Sequence, residues 1–247
     1  MGTWCTRSDV QRKTPDRYAE SVVHTEGKVD SLHARRAASR GDRGEERRRE
    51  IITAAIEAIE ERGPNASTGD FASRAGLNRA HIYRHFASKE ELDREVTLRL
   101  YREHKQRIRE GIRTHETPMD AIRGPITRHV TWAHEHPNLF HFLVSRRYAR
   151  TDDHPPRTES AFAFEIASAG EQYIPGFADH RDAADGFIIA VHGLIDASIQ
   201  WWLDHPRETR EQLIDRLSTQ SWLLLRQRLD EIGVELDPRV PSPETPS

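Results

Sequence analysis

Residues 67–91 read Ser-Thr-Gly-Asp-Phe-Ala-Ser-Arg-Ala-Gly-Leu-Asn-Arg-Ala-His-Ile-Tyr-Arg-His-Phe-Ala-Ser-Lys-Glu-Glu. Ser67 with Asp70 three positions on resembles a capping box, which predicts a short helix over about 68–75. Gly76 supplies the turn, and Asn78 is a good N-cap for a second short helix over about 79–85. Ser88 with Glu91 forms another capping box, opening a long helix that runs to about residue 112. Ile82 and Phe86 lie four apart and point inward with Phe71, Ala72, Ala75 and Leu77. Arg79, His81, Arg84 and His85 are thereby left on the outer face. Two short helices, a glycine turn and outward cations on the second helix are the layout of a helix-turn-helix, a device for laying one helix in a DNA major groove.

Working outward, Glu45 to Arg62 is helical by pattern, with Ile51, Ile52, Ala55, Ile56 and Ile59 on one face and Gly63-Pro64 ending the run. Downstream, Thr117-Pro118 starts a helix to about His136, and Pro137 opens the next. Asp152-Asp153-His154-Pro155-Pro156 reads as a loop, followed by a helix over about 157–173 that ends near Pro175-Gly176. Two amphipathic helices near 183–203 and 209–229 close the pattern. The fold class expected is all-α: a three-helix helix-turn-helix head followed by a helical ligand-binding and dimerisation domain. The head is expected over 44–104 and the helical domain over 105–236. Residues 1–43 form a basic extension without helical periodicity, read as either a groove-binding arm or, preferably, a passive disordered tail. Residues 237–247 read as a flexible, proline-rich tail.

The chain has 247 residues, is 31% charged and carries a net charge of −3. A negative sum does not oppose DNA binding, because binding follows the local basic patch. One cysteine, Cys5, excludes an intrachain disulfide. Apolar runs such as Phe187-Ile188-Ile189-Ala190-Val191 fall short of the roughly 20 residues a spanning helix needs, so no membrane partner is expected and the cytoplasm is the expected location.

The head strongly resembles that of the TetR/AcrR family of bacterial repressors. The resemblance rests on Ser67, Phe71-Ala72, Ala75-Gly76-Leu77-Asn78, Tyr83-Arg84-His85-Phe86 and Ser88-Lys89-Glu90, and covers about residues 44–104. Phe71, Gly69 and His81 depart mildly from the family pattern. By residue chemistry and resemblance together, the expected DNA contacts are Ser67, Thr68, Asn78, Arg79, Ala80, His81, Tyr83, Arg84, His85 and Lys89. Arginine suits guanine, while Tyr83 and Lys89 suit phosphate oxygens, with Thr68 adding an anion contact at a helix start. The resemblance implies a homodimer on a palindromic double-stranded DNA operator, with a small-molecule effector that shifts the two heads.

Trp132, Phe140, Phe142, Phe162, Phe164 and His192 are the candidate pocket residues. Val191, Leu194, Ile195, Ile199, Leu217, Leu224 and Leu225 are the candidate dimer face. No cofactor and no metal are expected, because neither His134-x-His136 nor His81-x-x-x-His85 comes with a convincing third ligand. The sequence shows no nucleophile-base-orienter set and no glycine-rich phosphate loop, which speaks against an enzyme. The remaining alternative is a helical ligand-binding or scaffolding protein with a vestigial head.

Overall fold

α1 covers residues 42–62, and its Ile51, Ala55 and Ile59 are completely buried. These positions recur at helical spacing, so one stripe of the helix is apolar and faces the core. In this computed structural model the described residues are 42–112, 117–147, 181–231 and 233–240. The helix expected over 157–173, the loop before it and most of the N-terminal extension lie outside them. The chain from Glu50 onward forms one compact unit, and the residues up to Arg49 form another, of which 42–49 are helical.

α2 (Thr68–Arg74), α3 (Arg79–Tyr83) and the start of α4 (Lys89–Ile112) complete the head. The Ser67 hydroxyl accepts from the Asp70 amide while the Asp70 carboxylate accepts from the Ser67 amide at 2.8 Å, so the capping box is fully formed. α2 ends in a Schellman motif: the Leu77 amide donates to the Ala72 carbonyl at 2.8 Å and the Gly76 amide to Ser73 at 3.2 Å. Gly76 has φ +64°, a left-handed conformation that an L side chain adopts only at a cost. The turn of the helix-turn-helix is therefore set by backbone geometry at one residue.

α3 is shorter than the pattern indicates. Asn78 caps it by accepting from the His81 amide at 2.9 Å, and Arg84 already serves as its C-cap. His85 and Phe86 then both donate to the Ile82 carbonyl, tightening the last turn so that Phe86 drops into the core.

The remaining helices are α5 (Pro118–Glu135), α6 (Pro137–Arg147), α7 (Arg181–Asp204) and α8 (Arg210–Glu231). Pro118 stands at the first helical position of α5, where its missing amide hydrogen costs nothing. Thr209 and Gln212 form a capping box at the start of α8 that the sequence reading did not single out. α5 occupies the centre, packing against α4, α6, α7 and α8. Beyond α8, the Pro238 carbonyl accepts from the Met119 amide at 3.1 Å, which ties the chain near 238 to the first turn of α5.

One hydrophobic cluster runs through this unit. It joins Phe71, Ile82, Phe86 and Leu92 of the head to Val130, Phe140, Phe142, Ile199 and Leu217 of the body. α4 belongs to both parts, with Leu92 and Val96 buried at the head end and His104 and Ile108 buried further along.

Candidate nucleic-acid interface and core cavity

Arg79, Ala80, His81, Tyr83 and Arg84 are all exposed on α3 and its cap, while Ile82 between them is buried. A single inward residue pins the helix to the head and leaves the others exposed. Gly69 of α2 explains where Arg79 lies: a Cβ there would come within 2.5 Å of the guanidinium, so the arginine rests over a residue with no side chain.

Thr68 is buried, and its hydroxyl accepts from the Tyr83 hydroxyl at 3.4 Å, so the pair joins α2 to α3. Ser67 and Asn78 commit their side-chain oxygens to caps. Asn78 also meets the His81 ring at 3.1 Å. The Asp70 carboxyl is held below the ordinary aspartate range, first by the Ser67 hydroxyl and amide and then by Arg62 and Arg79.

Two expected contacts are placed differently. Lys89 does not point freely outward: its ammonium pairs with Asp93 at 2.7 Å and lies 5.4 Å over the Phe71 ring. His85 is half-buried, since the tightened end of α3 turns it off the outer face.

Two ties join the head to the body. Arg146 of α6 reaches Asp93 at 2.7 Å, so Asp93 accepts from two cations, and the same guanidinium stacks 3.7 Å from the Phe142 ring centre. At the end of α1, Glu60 accepts from Asn138 through its carbonyl at 2.7 Å and meets the His136 ring through its carboxylate at 2.8 Å. α6 thus grips the head at both of its ends.

Between α4, α5, α6, α7 and α8 lie two adjoining cavities of ≈ 50 Å³ and ≈ 160 Å³. They share Ile108, His129, Ile188 and His192. Trp132, Phe140 and His192 line the first. Phe142 does not, because two residues along a helix is about 200° around it, so Phe142 packs on the face opposite Phe140, under Arg146. Phe162 and Phe164 lie outside the described residues.

The cavity wall holds a polar cluster. His129 Nε2 is 2.8 Å from Asp196 Oδ1, and His192 Nδ1 is 3.6 Å from Asp196 Oδ2. His104 lies with its ring centre 4.6 Å from those of both His129 and Trp132. Neither His104 nitrogen, nor His129 Nδ1, has a hydrogen-bond partner among the described residues. Burial, with His129 next, pushes the His104 pKa well down and holds the ring neutral. Each such unsatisfied group costs about 1–3 kcal/mol.

The expected dimer face divides in two. Ile195, Ile199 and Leu217 are buried inside the chain and belong to its own core, and Leu225 lines the larger cavity. Leu224 is exposed, together with Ile189, Trp201 and Leu223, which the sequence reading did not assign to the dimer face. The stretch Gly186–Asp204 has a mean hydropathy of 1.3, apolar enough by composition to cross a membrane, yet it holds Asp196 buried against α5.

A capped three-helix head with an exposed cationic third helix, set on a helical body with cavities between its helices, defines the class: a helix-turn-helix DNA-binding regulator. Residues 51–96, most of the head, match the family model described as bacterial regulatory proteins, tetR family. An uncharacterized HTH-type transcriptional regulator of Mycobacterium tuberculosis is 22% identical over 213 residues, 85% of this chain and 87% of its own. Solved structures show the same fold. A TetR-family regulator from Pectobacterium atrosepticum has a TM-score of 0.58 at 18% identity, covering 80% of this chain and 98% of that one. Another from Streptomyces coelicolor has 0.56 at 21%, covering 76% and 86%.

Proposed function

We propose that this chain is a homodimeric repressor that occupies a palindromic operator and leaves it when a small molecule enters the core cavity. The observation that carries the DNA-binding part is the α3 face, where Arg79, His81 and Arg84 are exposed around the single buried anchor Ile82. Arg84 and Arg79 are the groove-reading candidates, His81 adds base preference, and Tyr83 takes phosphate.

Dimerisation is supported by the outer faces of α7 and α8. Only 28% of the apolar stretch Gly186–Asp204 is buried within the chain, and Trp201 within it and Leu223 and Leu224 of α8 are exposed. A second copy meeting the same faces would bury them in an isologous bundle and present two α3 helices to one duplex.

Release is supported by α4 and α6. α4 lines the first cavity through Tyr101, His104 and Ile108 and carries the head at its other end. α6 contributes Phe140, Leu143 and Val144 to the same cavity and grips the head through Arg146 on Asp93 and Asn138 on the Glu60 carbonyl. An effector that binds better when these helices shift would bias the heads away from operator spacing; a coupling of about 1–3 kcal/mol changes affinity roughly 5- to 150-fold.

The test is selection of bound fragments from random double-stranded DNA, repeated with a metabolite mixture. Enrichment of an inverted repeat, lost when particular compounds are present, is expected. A protein that enriches no sequence and binds DNA only in a salt-dependent, sequence-blind way would instead have a vestigial head.

A further inference from the structure

We propose that His129, His192 and Asp196 form a site for a divalent transition-metal ion in the cavity wall, with the buried His104 ring packed beside it. Each of the first three offers one ligand atom, and these atoms all lie within 4.8 Å of one another. His192 and Asp196 stand one turn apart on α7, and His129 comes across from α5, so two packed helices bring the set together. The two oxygens of one buried carboxylate each face a ring nitrogen.

Two imidazoles and a carboxylate without a thiolate suit zinc, iron(II), cobalt or nickel. Magnesium and calcium, which favour shells of oxygen, fit poorly. A second observation points the same way. His104 arrives from α4, is only 5% exposed and packs its ring, tilted by 49°, against that of His129, yet neither of its nitrogens has a hydrogen-bond partner among the described residues. A carboxylate that needed only one structural partner would have it in His129. A further imidazole, His192, facing the second oxygen of the same carboxylate is what an ion would use.

The site also faces the cavities. His129 and His192 line both of them, so coordination positions left by the protein open toward the space where a small molecule would sit. A bound cation would tie α5 to α7. The site does not depend on the DNA-binding reading and is tested without DNA.

The full-length protein, stripped with a chelator, is titrated with zinc sulfate by calorimetry, and with cobalt(II) by absorption. One tight ion per chain is expected. His192→Ala with Asp196→Asn should weaken that event by at least about a hundredfold, since loss of an outer-shell partner alone costs 10–100-fold. A control in which the exposed His134 and His205 become Ala should keep it. Wild-type protein that takes up no ion, or a His192→Ala/Asp196→Asn protein that binds zinc as wild type does, overturns the site. Should the double variant lose its helical circular dichroism, anomalous diffraction at the zinc edge from wild-type crystals decides. A peak among His129, His192 and Asp196 supports the proposal, and peaks at surface histidines alone overturn it.

Discussion

Asp93 is the place where the head and the body are joined by charge, and its removal tests that joint. The carboxylate is 14% exposed and accepts from Lys89, 29% exposed, and Arg146, 23% exposed, both at 2.7 Å. Exposed ion pairs contribute about 0–1 kcal/mol, whereas removing one partner of a fully buried pair costs about 3–5 kcal/mol. These side chains lie nearer the buried limit but keep some solvent, so Asp93→Ala should destabilise the fold by about 2–3 kcal/mol. Arg146→Ala alone should cost about 1–2 kcal/mol, because Lys89 still neutralises Asp93 while the stacking on Phe142 is lost. Urea unfolding followed by circular dichroism, at one fixed protomer concentration, gives each value and that of the double variant. The double variant should cost less than the sum of the singles by about 1 kcal/mol or more. Costs that add within about 0.3–0.5 kcal/mol, as for independent sites, would refute the bridge as a link between head and body.

Arg84→Ala should weaken specific operator binding by about 1–3 kcal/mol per half-site with helical content unchanged; equal affinity in a gel-shift titration would remove Arg84 from the groove contacts. Trp201→Glu with Leu224→Glu should convert the dimer to monomer in sedimentation, because both side chains are exposed on the chain by itself, and a variant that stays dimeric would place the interface elsewhere. Asp70 has a lowered pKa in the folded head, so its contribution is complete above the ordinary aspartate range and is lost as pH falls through the lowered value. Asp70→Asn should therefore flatten the acid side of the stability profile measured by thermal melting, and an unchanged acid limb would contradict the capping assignment.

Most of the head was legible without coordinates because its boundaries rest on local chemistry. A cap needs a hydroxyl or amide at one position and a carboxylate three residues on, and a Schellman turn needs glycine; Ser67, Asp70, Gly76 and Asn78 supply them in order. The inward direction of Ile82 and Phe86 likewise followed from their spacing. Lys89 and His85 were harder, since both carry a charge or ring suited to DNA. Whether such a side chain faces outward depends on a neighbour such as Asp93, or on how tightly the preceding helix ends.

Wide apolar faces were visible on α7 and α8, but periodicity cannot divide a face between the chain's own core and a partner. Ile195, Ile199 and Leu217 went to the core, while Trp201, Leu223 and Leu224 stayed outside. The metal-type cluster shows the same limit more sharply. The histidine pairs close in sequence do not gather ligands: His134 packs on Trp202 and His136 meets Glu60. The signal that was present, His192 four residues before Asp196, looked ordinary until His129 arrived from a helix more than sixty residues away. Sequence alone determined the helices and caps of the head and the exposed cations of α3, because those depend on residues within one or two turns of each other. Only the tertiary packing decided the cavity, the head-to-body bridge and the polar cluster, because each is made of side chains brought together by the burial of helices distant along the chain.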